Sequence, residues 1–329
     1  MSWINDLDNI GALTIEGARI DNEKPRVLDL FSGIGSFSLG LEYAGMKSVA
    51  FCECEEKAAR QIRRHWPSAA MYDDVKTLTK ERLEQDGIGS IDVICGGFPC
   101  QDISIAGKGV GISGERSGLW FEFKRIINDV RPKYAIVENV SALLGRGLST
   151  VLGGLAEIGY DAAWTVYDSQ YFGLPQRRRR VYIVAVRDGI PPETDLFSLN
   201  GRSGGQCRRE VESIDSQRQW HFKEGEGVGE ETSFYTRQRS DEFSCTGLSS
   251  TLAKRDYKSF TDLVVSGETI RRVTPKERLK LQGIPECWLD GLGLSDTDKF
   301  RFNGMSVPVV HHIGNIIKEF DNGYKKAPH

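Results

Sequence analysis

The sequence predicts an α/β protein: a mostly parallel sheet, with a second, smaller and irregular lobe. Three observations carry that prediction. Short apolar runs alternate with segments of helical period between residues 25 and 188, tight glycine turns follow several of those runs, and the texture changes near Pro191. A chain of 329 residues with 39% hydrophobic content is long enough to bury a large core.

The first run, RVLDLF at 26–31, is broken by SGIGS, and FSLGLEYAG then has helical spacing, so strand, tight turn and helix follow one another. KSVAFCE is the second strand, and EEKAARQIRRHW a helix that stops before Pro67. IDVICGG at 91–97, YAIVENV at 134–140 and RVYIVAV at 180–186 are further buried strands. LWFEFKRIINDV and LSTVLGGLAEIG supply crossover helices. From Pro191 to about Gly267 the chain is rich in Gly, Ser, Arg and Glu, and is too long for a structureless connection, which favours an irregular second lobe. Regular patterning returns with TPKERLKLQGI, a helix begun at a Thr-Pro cap, and with a final helix around VVHHIGNIIKEF. The expected division is an extension at 1–24, a catalytic and cofactor-binding domain at 25–188, a recognition lobe at 189–268, and a return to the first domain at 269–329.

Bulk properties exclude several classes. No apolar run approaches the length of a membrane span, and the N-terminal MSWINDLDNIGALTIEG carries acids where a secretory signal needs a basic start, so a cytoplasmic protein is expected. Seven cysteines in a chain of this size fit reduced thiols, and the Cys52, Cys54 pair has no second ligand pair to make a zinc site. The net charge of -3 argues against non-specific coating of nucleic acid, yet arginines cluster at 177–180, 208–209, 237–239 and 271–272, which permits a nucleic-acid face in the C-terminal half.

Chemistry is expected at the C-terminal ends of the strands. Gly33 and Gly35 follow the first strand and precede a helix, a turn that lets a ligand press on the backbone, while the spacing lacks the features of a diphosphate cradle. Glu53 and Glu55, about twenty residues further on, are acids at a point where a carboxylate can take the two hydroxyls of a ribose, and Asp74 is placed to meet an exocyclic amine. Cys100, just past IDVICGG, stands at a strand end, whereas Cys95 inside the run is a core thiol. The glycine-rich QDISIAGKGVGISGERSG has the composition of a lid. Glu138 ends the next strand beside the same crevice, and no histidine occupies a strand end, which disfavours a proteolytic Cys-His pair.

These residues together resemble the cytosine-C5 DNA methyltransferase family. DLFSGIG at 29–35, GGFPCQDIS at 96–104, ENV at 138–140, QRRRRVYIV at 176–184, RRVTPKERLKLQG from 271 and NGMSVPVV from 303 stand in that family's order, over nearly the whole chain except the first twenty-odd residues and most of 190–245. The resemblance implies a Rossmann-like S-adenosylmethionine-dependent methyltransferase sheet with a target-recognition lobe, S-adenosylmethionine as cofactor, and cytosine in double-stranded DNA as substrate. It implies Cys100 as the thiolate that adds to cytosine C6, Glu138 at N3 and the exocyclic amine, and Arg178 and Arg180 beside them. Phe31, Gly33, Gly35, Glu53, Asp74, Leu119 and Ser306 would hold the cofactor. Gln101, Ser104, Asn139, Gln176, Thr251, Arg255 and Lys258 would order or contact the substrate, with Thr251, Arg255 and Lys258 at the target phosphate. Base-reading side chains are expected among Arg208, Arg209, Gln217, Arg237, Gln238 and Arg239.

Two positions depart from the family: Cys54 where a bulky residue often stacks on adenine, and Gly304-Met305 where Gly-Asn is usual. The resemblance also implies a restriction-modification-like setting; whether a cognate endonuclease exists to act separately is left open by the sequence, and a monomer is expected. An RNA cytosine-C5 methyltransferase and a catalytically inactive DNA-binding relative remain open alternatives at this point. A nicotinamide oxidoreductase would require those blocks to be ignored.

Overall fold

The computed structural model describes residues 24–99, 118–190, 196–197, 233–236, 244–252, 262–266 and 269–324. In chain order the first part comprises β1 (Arg26–Leu30), α1 (Ser36–Tyr43), β2 (Lys47–Cys52), α2 (Glu56–His65), β3 (Ala70–Tyr72), α3 (Lys80–Gln85) and β4 (Val93–Gly96). It continues with α4 (Leu119–Val130), β5 (Tyr134–Val140), α5 (Leu143–Arg146), α6 (Leu148–Glu157), β6 (Tyr160–Asp168) and β7 (Arg179–Arg187). The strands form one seven-stranded sheet in the order β3-β2-β1-β4-β5-β7-β6. β1 to β5 are parallel, and β7 lies antiparallel between β5 and β6.

Alternation within each strand sends side chains to two separate cores, as the two-residue period of a pleated strand requires. Leu28, Leu30, Ile94, Ala135, Val137, Val181 and Ile183 pack with Trp120, Phe123, Ile127, Val151 and Leu155 of α4 and α6. Val27, Val93, Cys95, Ile136, Tyr182 and Val184 face the other way, onto Phe37 and Leu41 of α1. Helices on both faces explain why these strands read as unbroken apolar runs. The sequence reading had no strand over β6, whose burial is only partial along most of its length. As an edge strand it pairs with β7 alone, so tertiary position, and not hydrophobic patterning, defines it.

A second, four-stranded antiparallel sheet follows, made of β8 (Ser233–Thr236), β9 (Ser244–Thr246), β10 (Asp262–Ser266) and β11 (Thr269–Arg272), in the order β11-β10-β8-β9. The expectation of a wholly irregular segment is corrected to this extent. Three of these strands have only three or four residues, too short for a pattern to stand out. α7 (Pro275–Lys280) then begins at a capping box in which Thr274 and Glu277 satisfy each other's backbone N–H groups. The helix ends earlier than TPKERLKLQGI suggested, with Gly283 at φ +73° turning the chain. α8 (Asp296–Arg301) leads to α9 (Val307–Tyr324), whose Val309, Val310, Ile313 and Ile317 complete the core over α1. The C-terminus therefore returns to the first sheet. No helix among the described residues is long and apolar enough to cross a membrane.

Candidate active site

The strand order reverses between β1 and β4, and the loops after β1, β2, β4 and β5 open on the same edge of the sheet. Open α/β sheets bind ligands at that point.

On the β1 side, the chain turns through three residues in the left-handed region: Phe31 (φ 56°), Gly33 (φ 55°) and Gly35 (φ 79°). The Phe31 ring lies 6.1 Å from Phe123, which anchors the otherwise unfavourable backbone of a non-glycine residue. Gly33 N–H donates to Glu53 Oε2 at 2.7 Å, while Glu53 Oε1 accepts from Glu55 N at 2.8 Å, so one carboxylate from the end of β2 fixes the turn. A Cβ on Gly33 would meet no described atom within 4 Å, which leaves the loop open to a ligand. Gly35 is there for another reason: a Cβ would sit 2.4 Å from the Trp66 ring. Trp288 Nε1 donates to the Ile34 carbonyl at 2.9 Å and holds the loop from the C-terminal segment.

Beneath this turn Asp29 is fully buried. Its Oδ2 accepts from Ser38 Oγ at 2.8 Å and Ser38 N at 3.2 Å, tying β1 to α1. Burial pushes its carboxyl up to about 7, against the lowering effect of the Ser38 hydrogen bonds. Burial also pushes the Cys95 thiol well above its ordinary range, consistent with a core residue and not a nucleophile. Asp74, exposed after β3, accepts from Lys76 N at 2.9 Å. Leu119 opens α4 and packs against the same core as Phe31. Ser306 is buried at the start of α9, and its Oγ has no hydrogen-bond partner among the described residues.

On the other side of the reversal, Glu138 is 6% exposed near the end of β5, and its Oε1 lies 3.1 Å from Arg180 Nε. The antiparallel register makes this meeting possible, since Arg180 pairs with Val140 at the start of β7. Asn139, buried next to it, donates to the Phe98 carbonyl at 3.3 Å and accepts from Val140 N at 2.9 Å, joining the end of β5 to the loop after β4. A Cβ on Gly97 would stand 2.7 Å from Glu138 Oε2 and 2.5 Å from Met305 Cε, so the carboxylate, the GGFP loop and Met305 share one small space.

Arg178, expected beside Arg180 at the chemistry, has a different set of contacts. It donates to Asn303 Oδ1 at 3.3 Å and to the Gly304 carbonyl at 3.0 Å, while its own N–H reaches Asp168 Oδ1 at 2.9 Å. Gln176 is fully buried and donates to the Ser250 carbonyl at 3.3 Å. Thr251 donates its hydroxyl to the Arg177 carbonyl at 2.7 Å. A hydroxyl has one proton and a phosphodiester oxygen only accepts, so that bond and the expected donation to a phosphate exclude one another. Cys100, Gln101, Ser104, Arg255 and Lys258 lie outside the described residues, as do the glycine-rich stretch 104–116 and Arg208, Arg209, Gln217, Arg237, Gln238 and Arg239.

Several residues of the site escaped the sequence reading. Gln282 accepts from Gly304 N at 2.6 Å through its side chain and from Val307 N at 3.0 Å through its carbonyl. Ser36 Oγ accepts from Met305 N at 2.7 Å, joining the 303–306 loop to the start of α1 just past the glycine turn. Gln282 and Asn303 both lay within blocks already singled out, but nothing in a linear pattern says which amide turns inward.

The sheet order, the glycine turn and the acid at the end of β2 define the class: the fold is that of an S-adenosylmethionine-dependent, Rossmann-like methyltransferase. Residues 25–203 match the model of the C-5 cytosine-specific DNA methylase family, and the chain belongs to that family. It is 33% identical over 296 residues to the type II methyltransferase M.NgoBI of Neisseria gonorrhoeae, covering 87% of this chain and 90% of the relative. It is 30% identical over 329 residues to the type II methyltransferase M1.ScrFI of Lactococcus lactis subsp. cremoris, covering 92% and 80%. Among solved structures, the S. pombe Dnmt2 methyltransferase shares the fold with a TM-score of 0.64 at 19% identity, over 91% of this chain and all of that one. The protein is thus an enzyme, a DNA cytosine-C5 methyltransferase.

Proposed function

We propose that this enzyme methylates C5 of a cytosine turned out of a short, specific duplex sequence, through a covalent bond between Cys100 and C6 of the base, in a restriction-modification setting. The observation that carries the reading is the buried Glu138–Arg180 pair at the end of β5, packed against the GGFP loop that leads directly to Cys100.

Cytosine C5 is a weak nucleophile. Addition of the Cys100 thiolate to C6 forms the S–C6 bond and moves the ring's π electrons toward N3, where Glu138 delivers a proton, leaving C5 as the nucleophilic end of an enamine. Arg180 keeps the Glu138 carboxyl aimed and faces the side of the ring that bears O2. After C5 has gained its methyl group, a water takes up the C5 proton, that C–H electron pair forms the C5–C6 double bond as the S–C6 bond breaks and Cys100 departs as thiolate, and the N3 proton returns to Glu138. The described residues fit S-adenosylmethionine: Gly33 leaves its loop open, the Glu53 carboxylate follows β2, Phe31 and Leu119 pack on one core and Ser306 Oγ is buried without a partner among the described residues, and these residues would hold the cofactor. When bound, that cofactor supplies an electrophilic methyl carbon. A base stacked in a duplex hides C5 and C6, so it must rotate out to be methylated. Arg255 and Lys258 would grip phosphates, which position the duplex without reading it.

The test pairs tritiated S-adenosylmethionine with plasmid DNA or folded tRNA. Label is expected in DNA, and label in RNA alone overturns the substrate assignment. Duplex DNA carrying 5-fluorocytosine should trap a denaturation-resistant adduct that Cys100→Ala abolishes. An adduct that persists in that variant overturns the nucleophile.

A further inference from the structure

Residues 249–252, which follow β9 of the small sheet, are laced to the loop that precedes β7. Ser249 N donates to the Pro175 carbonyl at 2.8 Å and Arg177 N to the Ser249 carbonyl at 2.9 Å. Gln176 reaches the Ser250 carbonyl and Thr251 reaches the Arg177 carbonyl, at 3.3 and 2.7 Å. Leu252 is buried with Val264, Val273 and Leu281, so the strap is continuous with the core beneath the small sheet. Asn303 closes the circuit. Its Nδ2 donates to the Leu252 carbonyl at 3.0 Å and its Oδ1 accepts from Arg178 at 3.3 Å.

We propose that Asn303 is a positioning residue that makes methyl transfer depend on how the recognition lobe is seated. An amide has a donor end and an acceptor end, and here the donor end holds the lobe while the acceptor end holds Arg178. Arg178 stands two residues before Arg180, which aims Glu138, and its guanidinium also fixes Gly304, next to the Met305 N–H that rests on Ser36. A shift of 249–252 on engaging DNA is therefore passed to Arg178 and the Gly304 loop by Asn303, alongside the bonds that tie the strap to residues 175–177. The proposal rests on the function proposed above for the Glu138–Arg180 site.

Asn303→Asp isolates the effect, because a carboxylate still accepts from Arg178 but cannot donate to the Leu252 carbonyl. With plasmid DNA and tritiated cofactor, kcat should fall by about tenfold or more, equivalent to about 1.4 kcal/mol in the barrier, while cofactor affinity and KM for DNA stay within about twofold. Bisulfite sequencing of the plasmid should show a larger share of methylation outside the wild-type sequence, which a loss of stability alone would not produce. Thr251→Val cuts the same strap from its other end, should show the same pattern, and should add little to Asn303→Asp when combined. Wild-type kcat and an unchanged methylation map in Asn303→Asp overturn the proposal, as does loss of cofactor binding in step with activity. If Asn303→Asp does not fold, a Thr251→Val enzyme of wild-type kcat and map overturns it instead. A wild-type protein that leaves plasmid DNA unlabelled overturns the functional reading itself, a failure told apart because it appears before any variant is compared.

Discussion

Gly33 and Gly35 stand two residues apart in one turn, both at positive φ, and their alanine variants should fail in different ways. Forcing an L side chain into the left-handed region costs about 1–2 kcal/mol at either position. At Gly33 that is the whole structural cost, since the new methyl group meets no described atom within 4 Å. At Gly35 the methyl group would lie 2.4 and 2.8 Å from two atoms of the Trp66 ring. That ring is pinned, with its N–H on Glu42 at 2.7 Å and its centroid 4.9 Å from that of the tilted Phe51 ring, so overpacking adds about 1–3 kcal/mol. Gly35→Ala should thus lose about 2–5 kcal/mol, a large part of an ordinary stability of about 5–15 kcal/mol. Urea unfolding without ligand should separate the two variants, and titration calorimetry with S-adenosylmethionine should show affinity cut about tenfold or more in Gly33→Ala. A Gly33→Ala protein of wild-type affinity would remove this turn from the cofactor site. Native stability in Gly35→Ala would mean that Trp66 can turn aside, and the packing argument would fail.

Three more predictions concern the opposite half of the site and the group beneath it. Gly97→Ala places a methyl group 2.7 Å from Glu138 Oε2, so turnover should drop by about 100-fold with cofactor affinity unchanged, and full activity would show that this carboxylate needs no fixed position. Glu138→Gln keeps the shape but cannot deliver a proton, and kcat should fall by at least about 100-fold in the tritium assay; a wild-type rate would take Glu138 out of the chemistry. Asp29 has its carboxyl raised to about 7 by burial, so the folded chain holds a proton that the unfolded chain has already released. Its contribution to stability is complete below the unfolded value near 4 and is lost as pH rises through about 7. Asp29→Asn should remove that decline, making the variant more stable relative to wild type at pH 8 than at pH 5 in urea titrations, and parallel curves would refute the assignment.

The parallel part of the sheet was legible because both faces of its strands are covered, so burial writes itself into the sequence as unbroken apolar runs. β1, β2, β4 and β5 fall within the runs read as strands. β3 and β6 carry no such mark, since β3 has only three residues and β6 is half-exposed at an edge. The small sheet hid for a related reason, its strands being three to five residues long in polar sequence. Local chemistry was readable where it is local: the Thr-Pro start of α7 was read as a cap, and the structure adds Glu277, three residues on, as its reciprocal partner. Contacts such as Trp288 to Ile34, 254 residues apart, leave no trace in a linear pattern.

The arginine run at 177–180 shows where pattern alone stops. Four like charges in succession read as a solvated surface, yet Gln176 and Arg178 are buried and Arg177 and Arg179 are exposed, the alternation of an extended chain entering β7. Period two accounts for which arginines point inward, but not for what they meet. Arg180 lies inside the strand, where the register with β5 brings it to Glu138. Arg178 stands one residue before the strand begins, beyond the β5 pairing, and its guanidinium reaches Asn303 and Gly304. Two arginines on one face, two residues apart, thus meet different partners because the ladder starts between them: one pairs with the acid near the end of β5, and the other holds the Asn303–Gly304 loop before α9.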